Sequence, residues 1–343
     1  MKFRGNFIKS TLLSLAAVVA LGGCNAGGVS SSGGVSSTVP SVTATTAATT
    51  APSLDLPDPV TGTYNGNAVT MRYTAMTDLN IDIAYCQPFQ SGFAIVMNDP
   101  ETGITPEYAY IDEDGNVLGN TWYQYADPFD EDGRALVKQS DNSWTWIDKT
   151  GTIVAQAPER EPSSHLDMSM YYEENGLWGL QEADGTRLTE PVFVNVEGFS
   201  SKASLAYATM EDHGEYKNVM IDRTGKVCMT LPEGCNKAYD FSNDLVMCLF
   251  IDEKDFSNTR YQLYKKSGTP LNERRFKAIG NFVDGLAPVM EDGKLGLMDE
   301  AGQMVIEPSL PLDDHYQVNL QWGENRIVVA RDGKLAIVEV TFS

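Results

Sequence analysis

From about residue 60 onward the chain alternates short apolar runs with tight polar turns. The runs include Phe93-Ala94-Ile95-Val96, Tyr108-Ala109-Tyr110-Ile111, Trp144-Thr145-Trp146-Ile147, Val219-Met220-Ile221 and Leu295-Gly296-Leu297-Met298. Each is a handful of residues rich in β-branched, aromatic or other apolar side chains and is bounded by Asp, Gly, Asn or Pro, which predicts strands joined by turns. No long stretch of the mature part shows a 3.6-residue apolar period, so the pattern predicts an all-β fold.

The strands fall into a repeat. Its clearest copy runs from Phe282 to Pro308: Phe282-Val283-Asp284-Gly285-Leu286-Ala287-Pro288-Val289, a turn at Asp292-Gly293, Lys294-Leu295-Gly296-Leu297-Met298-Asp299, then Met304-Val305-Ile306. Phe89 to Val96 matches the opening without a gap, and Phe129, Phe199 and Phe241 start looser copies. The second half recurs around the turn glycines Gly115, Gly151, Gly185, Gly225, Gly268 and Gly302, spaced 36, 34, 40, 43 and 34 residues apart. A seventh, partial copy is Asp332-Gly333-Lys334-Leu335-Ala336-Ile337-Val338-Glu339. The Asp-x-x-Gly turns predict a type I geometry, with the Asp side chain capping the turn and Gly taking the positive φ. Pro191 and Pro308 are expected to stop strands.

These units resemble the WG repeat family, whose pattern carries a Trp-Gly or aromatic-Gly pair. Trp178-Gly179 keeps the pair in register, Leu295-Gly296 is its nearest relative, and Trp322-Gly323 falls out of register near a unit's start. The resemblance covers most of residues 84 to 343 and implies a bacterial protein that is secreted or surface-attached, with no known catalytic residue. Seven units of about 40 residues predict a repeat of short antiparallel meanders in a seven-bladed β-propeller, with an open β-solenoid as the alternative. The strands around Thr61–Tyr64, Ala68–Tyr73 and Ile81–Ile83 stand outside the repeat and are expected to complete the last unit, removing an exposed edge.

The N-terminus has a different character. Lys2, Arg4 and Lys9 precede a short apolar run, Leu12 to Leu21, which is too brief to span a bilayer and fits a cleaved secretory signal. Leu21-Gly22-Gly23-Cys24 resembles the bacterial lipobox. That resemblance implies a signal peptide over 1–23, cleavage before Cys24, and acylation of Cys24 as the membrane anchor. Residues 24–57 are almost entirely Gly, Ser, Thr, Ala, Val and Pro, with Asp55 as the only charge. They predict a flexible tether leading to a β-domain over 58–343.

Charge and chemistry narrow the functional classes. Loss of the three leader cations takes the formal charge from −22 to −25, which disfavours nucleic acid as a partner. Cys86, Cys228, Cys235 and Cys248 sit in an exportable chain, but three disulfide pairings are open and the spacings are not those of a zinc site. His165, His213 and His315 lie in polar, loop-like settings. Asp112 to Asn116 and Asp127 to Gly133 carry closely spaced acids, but they coincide with repeat turns and lack the twelfth-position Glu of a calcium loop. Trp144, Trp146, Trp178, Tyr108 and Tyr110 occupy strand positions, where core packing is favoured over a sugar platform. No nucleophile-base motif, Walker loop or Rossmann fingerprint is present in the sequence.

The expectation is a lipid-anchored, surface-exposed binding or scaffold module without catalytic activity, cofactor or metal. It would face away from the cytoplasm at the bacterial cell envelope and engage an unknown protein or glycan. An envelope enzyme such as a glycan hydrolase is the alternative. Replacing Cys24 by Ser is predicted to leave the precursor uncleaved by the lipoprotein peptidase and unlabelled by fatty acid. Normal palmitate incorporation in the variant would refute the anchor.

Overall fold

The computed structural model describes residues 56–79, 86–98, 106–158, 166–167, 169–200, 204–241, 244–313 and 320–343. Cys24, His165, His315 and Ile81–Ile83 lie outside them. The described chain is all-β and propeller-like, built from antiparallel sheets. Two strands come first, β1 (Val60–Tyr64) and β2 (Asn67–Thr77). Seven meanders follow. Unit 1 holds β3 (Ala94–Met97) and β4 (Tyr108–Ile111), with a bridge from Ile111 to Val117 marking its outer strand. Unit 2 is β5 (Tyr125–Ala126), β6 (Arg134–Lys138), β7 (Trp144–Asp148) and β8 (Ile153–Gln156). Unit 3 holds β9 (Leu166–Asp167), β10 (Tyr171–Glu174) and β11 (Leu177–Leu180), with Gln181 bridged to Arg187.

Unit 4 is β12 (Phe193–Val196), β13 (Phe199–Ser200), β14 (Leu205–Asp212), β15 (Glu215–Asp222) and β16 (Val227–Thr230). Unit 5 is β17 (Lys237–Phe241), β18 (Leu245–Phe250) and β19 (Arg260–Lys265), with Tyr264 bridged to Pro270. Unit 6 is β20 (Ala278–Ile279), β21 (Leu286–Glu291), β22 (Lys294–Asp299) and β23 (Met304–Pro311). Unit 7 is β24 (Trp322–Gly323), β25 (Arg326–Arg331) and β26 (Lys334–Phe342).

The turns follow from the sequence as expected. At all six repeat glycines the Gly N–H closes on the carbonyl three residues back, at 2.8 to 3.0 Å, and φ lies between 78° and 86°. Four of these turns are capped by an aspartate. Asp112, Asp148, Asp222 and Asp299 each accept backbone N–H groups two and four residues on through one carboxylate oxygen. A type I turn followed by a left-handed glycine suits the twist of the flanking strands. The tighter hairpins place two consecutive residues at positive φ, as at Asn175-Gly176, Asp292-Gly293 and Asp332-Gly333, which is the type I′ requirement.

Pro308 does not end its strand. It lies inside β23, where Leu295 pairs with Leu310 and Leu297 with Ile306, so Glu307-Pro308-Ser309 bulge outward. Because β23 is the edge of its sheet, the missing N–H costs no ladder bond. Gly296 makes the bulge possible: a Cβ there would sit 2.6 Å from the Ile306 carbonyl oxygen and 2.8 Å from the Pro308 nitrogen. That is a physical reason for glycine in the repeat's paired position.

The seventh unit is completed from the other end of the chain. β2 pairs antiparallel with β26 from Val69↔Phe342 to Thr77↔Leu335, bulging at Thr74, and β1 adds outside it. Val69, Met71, Val338 and Val340 are fully buried there. Their cluster extends into unit 6 through Leu286, Leu295 and Ile306. A second cluster joins unit 7 to unit 1, through Ile337 and Leu335 against Ala94, Val96 and Ile111. Other clusters join units 1 and 2, 3 and 4, 4 and 5, and 5 and 6. Units 2 and 3 share no such cluster among the described residues.

Burying Val69, Met71 and Tyr73 contributes on the order of 5–9 kcal/mol at ~1.5–3 kcal/mol per large side chain, comparable to the whole stability of an ordinary domain. Deleting Gly323–Ser343, which removes β25 and β26 and strands β2, is therefore predicted to abolish cooperative unfolding or cause aggregation. Removal of residues 1–77 should do similar damage. If both shortened proteins stay soluble and unfold cooperatively near the parent midpoint by calorimetry, the end-to-end pairing is not what holds the fold.

Candidate functional site

The acids that stand out in the sequence are occupied by the backbone. Asp112 uses Oδ1 on the N–H groups of Asp114 and Asn116 and Oδ2 on the Asn116 side chain. Asp130 accepts from Arg134 N–H, and Asp127 Oδ1 accepts the Tyr125 hydroxyl at 2.6 Å. The Thr150 hydroxyl and N–H hold the Asp148 carboxyl below its usual range. These groups act as turn caps rather than as a converging ligand set. His213 is the first residue of the β14–β15 hairpin turn, at φ 52°, with its side chain 97% exposed and 3.6 Å from Asp212.

Between units, side chains clasp the neighbouring loop. Glu324 accepts from the N–H groups of Ser91 and Gly92 at 2.6 and 2.7 Å, joining unit 7 to unit 1. Asp240 accepts from Ser204 and Leu205, joining units 5 and 4, while the Asn281 amide both donates to and accepts from the Trp322 backbone, joining units 6 and 7. A buried tyrosine hydroxyl reaches a neighbouring unit's carbonyl at three junctions, from Tyr110 to Asp127, Tyr171 to Glu197 and Tyr73 to Pro311. Burial pushes all three phenols up, Tyr73 to about 12, so they remain neutral donors through the physiological range.

The most distinctive side-chain face is on unit 2. In β7, Thr145 and Ile147 are buried, Ile147 in the cluster it shares with Ile95 and Tyr110 of unit 1. Strand alternation therefore sends Trp144 and Trp146 to the opposite face, where both are only half-buried. The Tyr125 ring lies 5.3 Å from Trp144 at 56°. Lys138 Nζ stands 5.9 Å from the Trp144 ring and the Arg134 guanidinium 5.6 Å from Trp146. Cation–π attraction holds both cations across the indole faces. The adjoining sheet edge, β8, exposes Ile153 and Val154 at 52% and 48%. Residues 159–165, which lead on to unit 3, lie outside the described chain.

The strand alternation that reveals this face was readable in Trp144-Thr145-Trp146-Ile147, but the choice of which alternate residues face the neighbour was not. Tyr110 is core, at 1% exposure, as expected for a repeat strand position. Tyr108 and Trp178 are half-buried and pack against the clusters of units 1–2 and 3–4, whereas Trp144 and Trp146 are half-buried and belong to none of these clusters. A shallow depression, too small for more than about one water, also lies between units 1 and 2, lined by Gln87, Pro88, Phe93, Ile95, Pro128 and Phe129, among others. Its wall is mostly apolar.

The family model for the WG containing repeat matches residues 108–142 and 263–294. Both stretches begin in the third strand of one unit and reach the hairpin after the second strand of the next. No curated protein matches the chain. Among solved structures, the chain is similar to the computationally designed Ika8 protein at 13% identity and TM-score 0.34, over 83% of this chain and 98% of that one. It is similar to BamB from Moraxella catarrhalis at 12% identity and TM-score 0.30, over 78% and 85%. The WD40 β-propeller domain of Doa1 is similar at 13% identity and TM-score 0.39, over 78% and 97%. Two stretches of the chain match the WG containing repeat, and both lie within the all-β, propeller-like array of antiparallel sheets.

Proposed function

We propose that this protein is a lipid-anchored binding or scaffold module of the bacterial envelope, held to the membrane through Cys24 and displayed outside the cytoplasm. The observation that carries the binding role is the Trp144–Trp146 face of unit 2, with Tyr125 beside it and Arg134 and Lys138 lying across the indoles. Two indoles on one strand are two residues, or about 6.6 Å, apart. That spacing suits stacking against successive apolar sugar faces, while the cations offer donors to hydroxyls or carboxylates. Envelope glycan is accordingly the first ligand class. The exposed β8 edge, with Ile153 and Val154, supports protein strand addition as the second.

The anchoring half of the proposal rests on Lys2, Arg4 and Lys9, the short apolar run and Leu21-Gly22-Gly23-Cys24. The tether following Cys24 leads into Leu56 and Val60, which pack against the apolar cluster of units 6 and 7.

The test is titration of the soluble domain with purified envelope glycan, read by tryptophan fluorescence and calorimetry. Saturable binding is expected, with no change in the ligand's chain length. The Trp144→Ala/Trp146→Ala double variant should weaken it at least tenfold while keeping the parent's circular dichroism. Undiminished binding in the folded double variant, or no saturable binding, would remove unit 2 as the glycan site. Shortening of the glycan would replace the scaffold reading with an enzymatic one.

A further inference from the structure

Of the four cysteines beyond Cys24, three belong to the apolar cluster between units 4 and 5, and two of them meet. Cys235 and Cys248 are both buried there, with Ala238, Val246 and Tyr264 around them. Cys248 lies in the middle of β18, opposite Ala238 on β17. Cys235 arrives from the turn before β17, whose Cys235 N–H closes on the Pro232 carbonyl at 3.1 Å with Gly234 at φ 77°. This turn folds Cys235 back over the strand pair. The Cys248 thiol lies within hydrogen-bonding reach of Cys235, and the Cys235 thiol donates to the Lys237 carbonyl oxygen at 3.1 Å.

The other two thiols are directed elsewhere. Cys228 is only half-buried and donates to Asp222 Oδ2 at 3.7 Å and to the Lys226 carbonyl at 3.6 Å, toward its own turn. Cys86 belongs to the separate cluster between units 7 and 1. Of the pairings open to four cysteines, the packing brings one pair of sulfurs together.

We propose that Cys235 and Cys248 are a redox pair that closes to a disulfide by exchange with an organic disulfide, stapling β17 to β18 in unit 5. The Cys235 thiolate attacks one sulfur of the donor disulfide. The other donor sulfur leaves as a thiolate and takes up a proton. Cys248 then loses its proton, attacks the Cys235 sulfur of the mixed disulfide and expels the second donor thiol. Two protein thiols are oxidised by two electrons and one donor disulfide is reduced to two thiols. Closing from a hydrogen-bonded approach to a bond of about 2.05 Å asks for rotation about the Cys235 side chain and a small shift of its turn.

The order of attack follows from the surroundings. The Cys248 hydrogen bond holds the Cys235 thiol below its ordinary range, aided by the nearby Arg275 charge, while the same bond and burial push Cys248 up. Arg275 is itself fixed, with its guanidinium 3.5 Å from the Phe250 ring centre and Nε on Gln262 Oε1 at 3.2 Å. Cys235 is also the more accessible of the two, at 8% exposure against 0%. A lower-pKa, more accessible thiol is the one that enters the mixed disulfide.

Trypsin separates the residues, placing Cys228 and Cys235 in Val227–Lys237 and Cys248 in Ala238–Lys254. The full chain, reduced and then equilibrated with oxidised glutathione, should yield these two peptides linked, with fragmentation placing the bond at Cys235. Cys228→Ser should leave the link intact and Cys235→Ser should abolish it. The oxidised protein should also unfold a few degrees above the reduced one, because the link closes a short loop in the unfolded chain. Four free thiols after equilibration, a link through Cys228 or Cys86, or loss of the link in Cys228→Ser would overturn the proposal. If Cys235→Ser does not fold, the fragment map of the parent chain decides the matter alone.

Discussion

The pairing of β2 with β26 is the constraint on which the rest of the fold depends. It joins residues 258 to 273 positions apart, with Arg72 and Glu339 bonded at 2.6 Å across the ladder. The exposed ion pair adds little by itself; the energy lies in the apolar face beneath it. Without this pairing, units 6, 7 and 1 would lose the strand on which two apolar clusters close. Forming it requires closure of nearly the whole chain. The cost grows only logarithmically with length, so a long loop is tolerable once the local meanders exist.

Those meanders are local because their turns are specified residue by residue. Asp at the first turn position and Gly at the fourth recur with one hydrogen-bond scheme from unit to unit, although the strands between them diverge. At Glu182 and Lys265 the first position has lost its aspartate, yet the glycine and the backbone closure remain. The glycine conformation is thus the stricter requirement, since a side chain at φ near 80° is strained while a missing cap costs about 1 kcal/mol. The high acidic content is accounted for in part here: many carboxylates are consumed by backbone N–H groups in turns and at unit junctions.

The all-β class, the number of units, the turn geometry and the role of the N-terminal strands were legible because they depend on short-range patterns and on the phase of a repeat. Three features were not. The Pro308 bulge depends on the neighbouring strand at Gly296, which no local rule around the proline reveals. The side-by-side pairing of β9 with β13, from different units, depends on how adjacent loops meet. The cysteine pair depends on a turn that redirects Cys235 toward a strand it does not face in simple register. Each is a tertiary fact imposed on a locally permissive sequence.

The candidate site, too, depends on which alternate residues of a repeat strand meet a neighbouring unit. A repeat position that packs against two neighbours is held to small or aliphatic side chains, as Ala109, Gly296 and Ala336 are on their buried third strands. In unit 2 that position is held by Thr145, which is buried, and strand alternation sends its neighbours Trp144 and Trp146 to the face opposite Ile147, which joins the cluster shared with unit 1. The indoles are then steadied by Tyr125, Arg134 and Lys138 rather than by a core. This half-exposed pair on a paired strand, with its cationic neighbours, is the feature on which the proposed binding role rests.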